Sequence, residues 1–136
     1  MSDILCLYYS RSGNTRQTMA EIAEALEAEL VEFTEKFETA KPLEEYRLVI
    51  LGSPVWAGRC ASPVRGLLKR RGQELSRVAY VLTRGGDKRY EEVYRQMDSY
   101  TAQPHLLEVS LRPGAVGYEF WRDKLVGEVR RYLDAQ

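Results

Sequence analysis

Ile4-Leu5-Cys6-Leu7-Tyr8-Tyr9, followed by Ser10-Arg11-Ser12-Gly13-Asn14-Thr15, is the stretch on which the fold turns. Its first six residues are apolar or aromatic without alternation, as in a strand covered on both faces, and residues 10–14 make a polar turn that ends it. From Thr15 the period changes. Met19, Ile22, Ala23, Leu26 and Leu30 recur at helical spacing, with Glu21, Glu24 and Glu27 opposite them, which predicts an amphipathic helix. A doubly covered strand that runs through a glycine turn into a helix is the repeating unit of a parallel α/β sheet.

The unit recurs down the chain. Residues 30–33 read as a weaker second strand, and the course of the charged stretch 34–45, with Pro42 inside it, stays open. Residues 46–52 read as a buried strand that stops at Ser53-Pro54, since a residue before proline avoids helical dihedrals. Ser62-Pro63 then reads as a cap and a first-turn proline, ahead of a stripe of Val64, Leu67, Leu68 and Leu75. Residues 78–83 make a fourth strand, Arg84-Gly85-Gly86-Asp87 another glycine turn, and Tyr90, Val93, Tyr94 and Met97 another helical face. A fifth strand at 106–111 precedes a terminal helix whose apolar face is Phe120, Trp121, Leu125, Val126, Val129 and Leu133. The expectation is one domain over residues 1–136, an α/β three-layer sandwich on a five-stranded parallel sheet. In such open sheets ligands sit at the carboxyl ends of the strands, so residues 10–14, 53–59 and 84–89 should build any site.

Composition narrows the class. The chain has 136 residues, 44% hydrophobic and 29% charged, enough for one core of ordinary size. No run of 18 apolar residues occurs and the first residues lack a secretory pattern, so a cytoplasmic protein without membrane partners is expected. Cys6 and Cys60 have no CxxC or Cys/His spacing, which argues against structural zinc and a disulfide scaffold, and no metal site is expected. Net charge is zero and no polybasic or zinc-finger pattern offsets it, so nucleic acid is not an expected partner. The charge is unevenly placed, however: residues 1–45 carry 4 Lys and Arg against 10 Asp and Glu, and residues 46–136 carry 16 against 10.

Ser10, Ser12, Gly13, Asn14 and Thr15 stand where a helix begins. Backbone N–H groups there are unpaired donors at the positive end of the helix dipole, and hydroxyls add donors without adding charge. That arrangement suits a phosphate.

On these residues the chain resembles the flavodoxin family, whose phosphate loop reads Ser/Thr-x-Ser/Thr-Gly-Asn-Thr directly after the first strand. Gly52-Ser53-Pro54-Val55-Trp56-Ala57-Gly58 is similar to the family's second loop, and Gly85-Gly86-Asp87 with Tyr90 to its third. The resemblance implies a sheet order of 2-1-3-4-5 and FMN as the cofactor. It places the phosphate on residues 10–15, Arg11 included, and the ring against Ser53, Pro54, Val55, Trp56, Ala57 and Gly58 on one side and Arg84, Gly85, Gly86, Asp87 and Tyr90 on the other. In the family, Trp56 and Tyr90 would stack on the ring, and the Ala57–Gly58 peptide would turn toward it on one-electron reduction. Tryptophan and tyrosine faces suit a broad flat heterocycle.

One departure stands out. The family's rim is usually acidic, whereas these loops carry Arg11, Arg59, Arg84, Lys88 and Arg89 against Asp87. If those cations converge, they favour the anionic reduced flavin and attract acidic redox partner proteins. The expected function is an FMN redox protein carrying electrons between proteins, with no catalytic residue of its own. The alternative is an NAD(P)H-dependent quinone reductase, toward which a cationic rim also points.

Other readings fit less well. Cys6-x4-Arg11-Ser12 is one residue short of the low-molecular-weight phosphatase loop, and Cys6 lies inside an apolar strand. Gly-x4-Gly-Lys-Ser/Thr and Gly-x-Gly-x-x-Gly are both missing, and the third strand lacks the acidic end of a magnesium-binding receiver domain. His105, the single histidine, is expected to be structural or exposed, without an acidic partner nearby in sequence.

Overall fold

A computed structural model describes residues 2–34, 36–85 and 90–136. The elements in chain order are β1 (Ile4–Tyr8), α1 (Asn14–Leu26), β2 (Glu29–Glu32), β3 (Leu48–Trp56), β4 (Arg59–Cys60), α2 (Ser62–Arg71), β5 (Val78–Thr83), α3 (Glu91–Asp98), β6 (Leu107–Leu111) and α4 (Tyr118–Asp134). Five strands run parallel in the order β2-β1-β3-β5-β6, and β4 pairs antiparallel with the end of β3. With β4 set aside as a two-residue hairpin arm, this is the expected order.

Strand side chains alternate between two cores. Leu5, Leu7, Val49, Leu51, Tyr80 and Leu82 face α2 and α3, which contribute Val64, Leu67, Leu68, Val93, Tyr94 and Met97. Ile4, Cys6, Leu48, Ile50, Ala79 and Val81 face α1 and α4, which contribute Met19, Ile22, Ala23, Leu125, Val126 and Val129. Burial on both faces is why the central strands read as unbroken apolar runs.

Four sequence expectations need correcting. β3 does not stop at Ser53-Pro54: Pro54 still registers with Thr83, and the strand continues to Trp56. The restriction that keeps a pre-proline residue out of the helical region is satisfied by strand dihedrals, so proline here ended nothing. Ser62 is the first helical residue of α2 rather than its cap; Ala61 takes the cap position, and the helix ends at Arg71, before Leu75. Leu30 belongs to β2 and is exposed, not part of the α1 stripe. Phe120 and Trp121 are exposed too, because the first turn of α4 stands at the carboxyl end of the sheet where strand side chains run out.

His105 is structural, as expected; the fifth correction is that it does have acidic partners. Its N–H donates to Asp98 Oδ1 at 3.0 Å, Nδ1 lies 2.7 Å from Asp98 Oδ2, and Nε2 lies 2.9 Å from Glu108 Oε1. The ring stacks on Tyr80, whose hydroxyl donates to Asp98 Oδ1 at 2.8 Å. Burial by itself would lower the imidazole pKa, but hydrogen bonds and charge from Glu108 and Asp98 outweigh it and hold the value above 6.5. A raised folded pKa contributes stability that is complete below the unfolded value, about 6.5, and is lost as pH rises through the folded one. Urea unfolding should therefore show stability falling from pH 6 toward 9, and His105→Gln should flatten that fall. An unchanged slope in the variant would remove His105 from the account.

Candidate functional site

The first loop is shaped by Ser10. Its Oγ, nearly buried, accepts N–H bonds from Gly13 at 3.1 Å and Arg16 at 3.2 Å, which folds the loop over the start of α1. Gly13 closes the turn with φ +96°, a left-handed conformation that costs an L-side chain roughly 1–2 kcal/mol. The N–H groups of Ser12, Asn14 and Thr15 have no hydrogen-bond partner among the described residues, and Ser12 and Asn14 are exposed. Ser10 has thus used its lone pairs on the loop and keeps its O–H to donate. Thr15 departs from expectation: its Oγ1 is buried and lies 2.7 Å from Thr83 Oγ1, so only its backbone can reach a ligand. Arg16 also points elsewhere, holding Glu32 through Nε and Nη2, both at 2.8 Å.

The second loop is a hairpin. Trp56 registers with Arg59 across the two-residue turn Ala57-Gly58, at φ +51° and +77°. Positive φ at both central positions matches the twist of a tight hairpin. Ala57 and Gly58 are exposed at the tip, with no atom within 4 Å of where a Gly58 side chain would start. Ser53 is buried and internal: its hydroxyl donates to the Pro54 carbonyl at 2.8 Å and accepts from Ala61 N–H at 3.0 Å. Pro54, Val55 and Trp56 are half-buried. Tyr9 meets Trp56 edge-on at 5.7 Å, and the Arg11 guanidinium lies 5.6 Å from the Trp56 ring centroid, joining the first two loops.

The third loop is only partly in view, since Gly86, Asp87, Lys88 and Arg89 lie outside the described residues. Gly85 is exposed beside open space. Arg84 donates from Nε to Ser110 Oγ at 2.8 Å and stacks over Tyr90 at 5.7 Å. Both side chains are thereby drawn toward β6, and among the described residues no contact links Tyr90 to Trp56. Only Arg11 of the described rim cations sits on the tryptophan, while Arg59 is exposed beyond the hairpin.

Sequence reading missed Tyr9 and Thr83. Both stand at carboxyl ends of strands that feed these loops, the position where open α/β sheets place site residues. Neither thiol contributes: burial pushes Cys6 up to about 12, and Cys60, where burial outweighs the nearby Arg65, up to about 11. That closes the phosphatase reading.

The sequence profile of the flavodoxin domain matches residues 5–122. The chain belongs to the flavodoxin domain family. Among solved structures it is similar to a Lactobacillus acidophilus flavoprotein in complex with FMN, at 22% identity and TM-score 0.64, covering 89% of this chain and 99% of that one. A flavodoxin, WrbA-like protein from Agrobacterium tumefaciens is similar at 12% identity and TM-score 0.70 over 96% and 99% of the two chains. General stress protein 14 from Treponema denticola, in complex with FMN, is similar at 11% identity and TM-score 0.64 over 97% and 98%. No curated protein sequence matches. At these identities the neighbours establish a flavodoxin fold, and family and FMN complexes together support FMN as the cofactor. Among the described residues no helix is long and apolar enough to cross a membrane.

The residues fit that cofactor at the phosphate end: three N–H groups with no partner among the described residues, at the head of a flavodoxin α1, suit an anion. At the ring end, Trp56 stands half-buried between an open hairpin tip and Arg11, so the guanidinium must share the indole face or move off it.

Proposed function

We propose that this flavodoxin-family protein binds FMN at the carboxyl edge of the sheet and passes electrons between protein partners. The observation that carries the reading is the set of N–H groups on Ser12, Asn14 and Thr15 that have no partner among the described residues, joined through Arg11 to the half-buried Trp56. Those N–H groups and the Ser10 hydroxyl hold the phosphate; Trp56, braced by Tyr9, presents a flat apolar face to the ring. The exposed Ala57–Gly58 turn offers backbone groups to the ring edge. When bound, the flavin supplies one- and two-electron redox chemistry. Titrating the apoprotein with FMN tests the site: flavin fluorescence should be quenched at a ratio of one to one. Anaerobic mixing with NADPH or NADH then tests the carrier role. Slow bleaching agrees with it, and rapid bleaching without an added reductase would replace the carrier by the quinone-reductase alternative.

The partner we propose is acidic. Arg59, beside Trp56 on the hairpin, is exposed and has no ion-pair partner among the described residues. Oxidation of the reduced protein by anionic ferricyanide should slow as salt is added, and oxidation by cationic hexaammineruthenium should quicken. Arg59→Glu should weaken the ferricyanide dependence. The opposite salt trends would mean that the rim presents negative charge.

A further inference from the structure

The two outer strands of the sheet are finished differently. β2 is short and ends in glutamate at both sides. Glu29 accepts from Ala40 N–H at 3.0 Å and from the Tyr46 hydroxyl, while Glu32 holds Arg16 and the Tyr8 hydroxyl. Charge and the chain around Ala40 therefore dress that edge, as soluble sheets commonly do. β6 has only one charged residue, Glu108, and an open groove of about 670 Å³ runs along it, lined by Tyr94, Val109 and Ser110 and by Trp121 and Lys124 of α4.

Exposed apolar side chains stand at both ends of this strand. Leu106, 44% exposed, precedes it; Val116, fully exposed, and Trp121, 49% exposed, lie past its other end. The Arg84 N–H donates to the Leu111 carbonyl at 2.9 Å, which turns Leu111 and, by alternation, Val109 toward β5. The backbone N–H and C=O groups of Glu108 and Ser110 then face outward.

We propose that β6 pairs antiparallel with β6 of a second copy about a two-fold axis through Val109, giving one continuous sheet of ten strands with the two copies of β4 set aside. In that register Glu108 and Ser110 exchange both backbone bonds with Ser110 and Glu108 of the other copy, Leu107 faces Leu111, and no like charges meet. An antiparallel pairing also brings the exposed Leu106 end of each copy against the Val116 and Trp121 end of the other, so each apolar patch finds its cover. A parallel pairing would leave like ends together. The carboxyl edges of the two sheets point in opposite directions, which leaves both first and second loops open.

Sedimentation velocity of the full chain across the micromolar range tests this. The expected result is a species of twice the 15.7 kDa chain mass. Leu106→Lys should make it monomeric, and so should Ser110→Pro, which removes an outward N–H; Ser110→Ala, which keeps that N–H, should remain dimeric. Hydrogen exchange at the Glu108 and Ser110 amides should be slow in the native chain and fast in Leu106→Lys, whose circular dichroism reports whether it is folded. A native chain that stays monomeric, or a dimer that both Leu106→Lys and Ser110→Pro leave intact, overturns the proposal. Neither outcome bears on FMN binding, which is read separately by fluorescence.

Discussion

Ser12→Asp is expected to abolish measurable FMN binding while leaving the apoprotein as stable as the native chain, or slightly more stable. Ser12 is exposed at the positive end of α1, and its N–H has no partner among the described residues. Without ligand, a carboxylate there interacts favourably with the helix dipole, by about 0.3–1 kcal/mol. With ligand, it faces a phosphate. Two unit charges at about 5 Å in a surface dielectric of about 20 repel by roughly 3 kcal/mol, a factor of about 100 in affinity for each charge on the phosphate. Flavin fluorescence titration measures the first effect and thermal unfolding of the apoprotein the second. Ser12→Asn, neutral and of similar size, should bind nearly as the native chain does. Equal FMN affinity in Ser12→Asp would place the phosphate outside this loop and end the proposed site.

Gly72→Ala should be the most damaging small substitution in the scaffold. Gly72 is buried at the end of α2, and a Cβ there would lie 2.2 Å from the Tyr100 carbonyl oxygen and 2.9 Å from its carbon. Its φ of −59° suits any residue, so the penalty is steric and falls on backbone that cannot rotate away. Overpacking of this kind costs about 3 kcal/mol, which for a domain of this size lowers the melting temperature by roughly 10 °C. Gly66→Ala provides the contrast. In mid-helix, its added methyl meets only the tip of Arg70, at 3.0 Å, and helix propensity favours alanine by about 1 kcal/mol. The same chemical change should thus act with opposite sign six residues apart, and a stable Gly72→Ala would show that α2 and the chain at Tyr100 are not packed as described.

The central strands could be read from sequence because burial on both faces leaves a local mark. Residues 78–83 were delimited to the residue, and the first loop was legible because its chemistry lies within six consecutive positions. What escaped depends on distant partners. The extension of β3 through Pro54 is set by pairing with Thr83 and then with β4. The direction of Tyr90 is set by Arg84 and by Ser110, which is on another strand. His105 lies in the connection between α3 and β6, and it meets Asp98 at the end of the one and Glu108 on the other only because the chain folds back there. Within the loops, sequence named segments that leave the strands at the sheet's carboxyl edge, but not the inward turn of the Thr15 and Ser53 hydroxyls, which only the packing decides.

That inward turn ties the opening loop to the middle of the sheet. The Thr15–Thr83 clasp fastens the start of α1 to the last residue of β5 from inside, through a buried contact between positions 68 residues apart. An alteration at Thr83 would thus be felt in the loop that carries Ser12 and Asn14, although Thr83 itself is turned away from solvent.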